Sequence, residues 1–202
     1  MKISENGRTM IEMLGVLAIV AVVTVGGLGV VSKAIRAQKK GQVIAEATNL
    51  ATATKKLACQ YSDAYDSKGA YGQFLYKSEA YPKGLTYSSS DKYYTGSLDV
   101  KYYINAYKKD GFRYFYIKIS GLDDDVCMDV ATNDWGRYET TGIIGVAVGS
   151  GDFKSFMSSD SGTNTAAVRS NSSTYPMPAA TAANNCADDN NTVQLWYAGC
   201  SK

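Results

Sequence analysis

The side chains able to do chemistry are few and unevenly placed. Among 202 residues there is no histidine, which removes Ser-His-Asp and Cys-His nucleophile pairs and the common zinc ligand sets together. Four cysteines stand at positions 59, 127, 186 and 200, at spacings that match neither a compact metal motif nor a Cys-x-x-Cys redox pair. An even number, all placed after a long apolar stretch, points to two disulfides and an oxidising compartment. The sequence leaves three connectivities open. Two oxygen-rich clusters, Asp123-Asp124-Asp125 and Asp188-Asp189-Asn190-Asn191, offer the ligand type that calcium takes. The plainer reading of the first is a helix start favoured by the helix dipole, and of the second a solvated turn. No enzymatic activity and no cofactor is expected.

The remaining chemical feature is a carboxylate in an apolar setting. Residues 13 to 31, MLGVLAIVAVVTVGGLGVV, are nineteen residues without a charge. That is enough for a helix to span a bilayer, and more than the apolar core of a secretory signal. Glu12 sits at its edge, after the apolar Met10 and Ile11. A carboxylate beside hydrocarbon costs roughly 2.5–3.5 kcal/mol at the bilayer centre and less near the interface. Glu12 is therefore either an interface marker or a group awaiting a positive partner from another subunit.

The stretch Gly7-Arg8-Thr9-Met10-Ile11-Glu12-Met13-Leu14 resembles the N-terminal signal of type IV prepilins and pseudopilins. The resemblance implies that a prepilin peptidase cuts between Gly7 and Arg8 and methylates the new amine on Arg8. Glu12 then becomes the fifth mature residue. In that family this glutamate neutralises the N-terminal amine of a neighbouring subunit, a pairing strongly favoured over two orphan charges in low dielectric. Two positions depart from the family pattern: its first mature residue is usually hydrophobic, where this chain has Arg8, and Pro is frequent where it has Gly29. Gly26, Gly27 and Gly29 weaken the helix by about 1 kcal/mol each relative to Ala, either for local unwinding or for close helix packing.

Charge and resemblance disagree about orientation. Lys33, Arg36, Lys39 and Lys40 follow the apolar run, while Lys2 and Arg8 precede it. The positive-inside rule alone places the C-terminal side in the cytoplasm. The resemblance implies the reverse, with the leader cytoplasmic and the body outside. The cysteine count agrees with the resemblance.

These residues require a long helix to position them. Val31, Ile35, Val43, Ala47, Leu50, Thr54 and Leu57 recur at near-helical spacing with polar residues between them. One helix from about Arg8 to Cys59 follows, on the order of 75 Å long, with a bend expected at Gly41. Residues 60 to 96 read as irregular, with a short helix near Tyr71–Tyr76. Leu98–Tyr107 and Phe112–Ile119 form a hairpin around Asp110-Gly111. Ser120 or Asp123 caps a helix running to about Asn133. Gly142–Val148 and Thr192–Tyr197 read as strands, and Ser155–Asn191 as loop. Sixteen tyrosines, most of them between Tyr61 and Tyr138, suit half-buried strands.

The stretch from Ile119 through Cys127, followed by Trp135, is similar to type IVb and conjugative pilins. That similarity implies Cys127–Cys186 with Cys59–Cys200 as the first pairing. Cys127–Cys200 with Cys59–Cys186 comes second, and a local Cys186–Cys200 loop third.

The expected fold is α+β and pilin-like: a long N-terminal helix packed on an antiparallel sheet, with a disulfide-tied C-terminal region. The expected divisions are a leader at 1–7, a transmembrane or filament-core half-helix at 8–31, an amphipathic half at 32–59 and a globular head at 60–202. The resemblance implies a bacterial inner-membrane precursor that polymerises with itself and other pilins into a surface or periplasmic filament. Two alternatives stand beside the pilus subunit: a pseudopilin of a type II secretion system, and a membrane-anchored binding domain that never polymerises. A net charge of +2 gives no reason to expect nucleic acid as a direct partner.

Overall fold

The computed structural model describes residues 8–60, 70–109, 112–149, 167–188 and 190–199, without the side chains of 8, 9, 23–29, 70, 107–109 and 112. Helix α1 runs unbroken from Arg8 to Gln60, through Gly41. The chain divides into two compact units, one ending at Lys39 and the other beginning at Lys40. The division falls inside the stretch 32–59 expected to act as one amphipathic half.

The reason lies in which periodic positions find cover. Val43, Ala47, Leu50, Thr54 and Leu57 are buried, whereas Val31 and Ile35 of the same series are exposed. Thr54 is tolerated in the buried stripe because its hydroxyl donates to the Leu50 carbonyl at 2.7 Å, which satisfies it within the helix.

The second unit is α+β. After α2 (Ala70–Lys77) come β1 (Thr86–Ser88), β2 (Tyr93–Thr95) and a 3₁₀ turn at Ser97–Asp99, then β3 (Lys101–Lys109) and β4 (Phe112–Leu122). Helices α3 (Asp124–Thr132) and α4 (Tyr138–Thr141) lead to β5 (Ile143–Val148), β6 (Ala167–Arg169), α5 (Ala179–Asn185) and β7 (Asn191–Ala198). The strands form one antiparallel sheet in the order β1-β2-β3-β4-β7-β5-β6. The last strand is therefore inserted between β4 and β5.

Alternation along the strands sends Tyr102, Ile104, Ile117, Ile119, Val193 and Leu195 into the core shared with α1. The hairpin pairs Lys101 with Ser120 through to Lys109 with Phe112; its Asp110-Gly111 tip lies outside the described residues. Strand β3 begins three residues later than the sequence suggests, because Leu98 and Asp99 take positive φ, both 57°, in the preceding turn.

Two stretches expected to be irregular contain regular elements. Within 60–96 lie β1 and β2, and within 155–191 lie β6 and α5. Three-residue strands carry no detectable period; tertiary pairing holds them, as in Thr86 with Thr95 and Gly145 with Arg169. Residues 61–69 and 150–166 of those stretches lie outside the described set. Helix α3 starts where expected but lacks the expected side-chain cap. Asp123 is the N-cap without a capping bond, and Ser120 belongs to β4.

Candidate assembly site

The first unit consists, among the described residues, of the N-terminal part of α1. Met10, Ile11, Met13 and Leu14 are 66–75% exposed. At 100° per residue such neighbours point to different sides of the helix, so the apolar surface runs around its circumference rather than along a stripe. Val16, Leu17, Ile19, Val20, Val22, Val30 and Val31 continue it, all exposed. An uncovered apolar surface of this kind marks an interaction site. Glu12 stands exposed within it, four residues after Arg8, where α1 begins. One turn of helix therefore separates the backbone of residue 8 from the glutamate.

Gly7, the other residue of the expected cleavage site, lies outside the described residues, as does the side chain of Arg8. Among the described residues no helix is long and apolar enough to cross a membrane. The uncharged stretch Met13–Val31 is helical throughout and includes residues 23–29, whose side chains are not described.

In the second unit, several polar contacts hold the continuation of α1, and two of them centre on charged side chains. The carboxylate of Glu46 accepts hydrogen bonds from the Ser97 amide at 3.1 Å, the Ser97 hydroxyl at 2.7 Å and the Tyr102 phenol at 2.8 Å. Burial, reinforced by the negative charge of Glu46 and the bond to it, pushes the Tyr102 phenol far above its ordinary range. Gly96 leaves the room that this carboxylate occupies. A Cβ at that position would overlap Glu46 Oε2 and approach Leu85 Cδ2 to 2.8 Å.

The second contact joins Lys40 to Asp125 and Asp129 of α3, at 2.9 and 3.0 Å. Partial burial works against the Lys40 charge. The hydrogen bonds to both carboxylates and their attraction prevail and raise its pKa above 10.5. Neither contact is legible in the sequence. The partners are more than fifty residues apart, and the only local hint is that Glu46 flanks the buried stripe Val43–Ala47–Leu50.

Cys127 of α3 and Cys186, which ends α5, are joined by a disulfide with Cα atoms 5.7 Å apart. Cys59 is also disulfide-bonded; its expected partner, Cys200, lies outside the described residues. The two oxygen-rich clusters meet through Asn191, whose amide donates to Asp124 Oδ1 at 3.1 Å and to the Asp188 carbonyl. Asp189 lies outside the described set, and no group of three or more metal-binding side chains occurs among the described residues. Asn191 is buried, and its bond to Asp124 ties β7 to α3.

A cleft of about 670 Å³ opens between the last turns of α1 and the connection before α4, with Thr52, Lys55, Trp135 and Tyr197 among its walls. The Lys55 ammonium is engaged there by the Thr141 carbonyl at 3.0 Å. No protein family, curated protein or solved structure matches the chain.

Proposed function

We propose that the chain is the structural subunit of a type IV pilus-like filament, cut between Gly7 and Arg8 by a prepilin peptidase and polymerised through α1. The observation that carries this reading is Glu12 exposed on a helix whose apolar side chains are uncovered on successive positions around it. A helix apolar all round needs either lipid or other helices as its surroundings. The reading supplies both in turn: a bilayer for the precursor, with the body outside the cytoplasm, and a bundle of α1 helices in the filament.

Within that bundle the glutamate becomes an assembly device. Cleavage leaves an amine on residue 8, and Glu12 of an incoming copy neutralises the amine of a copy already in place. Because a lone charge in that setting is costly, the pair fixes axial register as well as adding stability. The α+β head, closed by Cys127–Cys186, then forms the outer layer.

The test is substitution of the carboxylate. Glu12→Ala and Glu12→Gln chains are expected to be cut and membrane-bound as usual, with little polymer in the sedimentable fraction. Normal polymer yield from both variants would remove Glu12 from assembly.

A further inference from the structure

The sheet of the head presents two chemically different sides. Its inner side is closed by α1 and by α3, whose Val126, Cys127 and Val130 share one core with Tyr102 and Ile117. The alternate positions face outward. There Tyr93 of β2 and Tyr103 of β3 meet at 5.3 Å between ring centroids. Lys101 holds its ammonium 5.1 Å from the Tyr93 ring, and Lys118, paired directly across from Tyr103, holds its own 5.5 Å from that ring. The four side chains make a continuous cationic and aromatic stripe across three strands. The rings attract and orient the two ammonium groups, which lowers the entropic cost of using them in a contact.

On the helical side of the head, α3 carries a row of carboxylates. Asp123, Asp124, Asp125 and Asp129 lie at the start of α3 and along it, and Lys40 bridges two of them. The whole chain is close to neutral at +2. The net charge is small, so copies can approach without strong mutual repulsion.

We propose that the Tyr93–Lys101–Tyr103–Lys118 stripe of one head docks on the α3 face of a second copy. The two surfaces differ and lie on opposite sides of the head, so the contact is heterologous. Each docked copy leaves one surface of each kind uncovered, which propagates a polymer rather than closing a dimer. The inference rests on the filament reading and adds to it the surfaces through which heads meet.

The experiment uses chains trimmed before Arg8 in producing cells, of light and heavy isotope composition, mixed, assembled and treated with a zero-length carbodiimide. Mass spectrometry then identifies peptides joining one isotopic form to the other. The expected products link Lys101 or Lys118 of one copy to the 123–129 segment of another. They are expected to be retained in Lys56→Gln and weakened by added salt during assembly, and the polymer yield of Lys101→Gln/Lys118→Gln is expected to fall. Polymers with mixed-isotope links only at other positions would overturn the docking and leave helix-driven polymerisation standing. A chain that forms no polymer would overturn both.

Discussion

The phenol of Tyr102, on the inner side of β3, donates to the carboxylate of Glu46 on α1 at 2.8 Å, and the same carboxylate closes the Gly96-Ser97 turn. One side chain thus fixes helix to sheet and shapes the entry to β3. Removing it leaves the turn amide without its partner and the buried phenol with only the longer bond to the Val43 carbonyl at 3.3 Å. Glu46→Ala is expected to cost about 1–3 kcal/mol, the usual penalty for orphaned buried groups. Gly96→Ala, which forces the carboxylate away, is expected to destabilise by a similar amount. Urea unfolding of each variant checks both, and an unchanged midpoint would show that water replaces Glu46 without loss.

The disulfide joining Cys127 to Cys186 spans 59 residues. In the chain-entropy treatment a closure of that size is worth about 4 kcal/mol through the unfolded state. The Cys127→Ser/Cys186→Ser double variant is expected to show a drop of this order in unfolding free energy. The denaturant slope should change as the unfolded chain expands.

Alkaline pH tests the tyrosine-rich core. Burial raises the phenols of Tyr94, Tyr102 and Tyr197 well above their ordinary value of 10.0. It pushes Tyr175 up to about 12, assisted by Asp134 and opposed by the Trp135 amide and Arg137. The folded state therefore keeps protons that the unfolded chain gives up. Stability from these groups is fully present below pH 10 and falls as pH rises toward and beyond 12, by up to about 1.4 kcal/mol per pH unit for each phenol. The tyrosinate absorbance of these rings is expected to appear together with unfolding. Full ionisation of the native protein at its ordinary pKa would contradict the burial.

How much of this was legible in the sequence depended on the range of the interactions. The α1 helix, the β3–β4 hairpin and the strands β5 and β7 are written in local patterns of apolar spacing and turn residues. Strands β1 and β2 are too short for a period and exist because Tyr94 is pinned to Gly72 of α2 by a 2.7 Å bond and packed among Tyr81 and Tyr87. Helix α5, AATAANN, has little apolar pattern and is held by buried Ala182 and the bond at Cys186. Glu12 is conspicuous because a charge stands at the edge of a long apolar run. Glu46 and Lys40 are not, since their partners are remote in sequence and the amphipathic helix surrounds both with ordinary polar neighbours.

The proposed subunit is trimmed before Arg8 and assembled through the helix that begins there. Intact-mass measurement of the full-length product, extracted from the membranes or filaments of producing cells under non-reducing conditions, tests it most directly. The expected result is a chain lacking residues 1–7, with all four cysteines oxidised and the mass of one methyl group on the new terminus. A chain that still begins at Met1 would contradict the account.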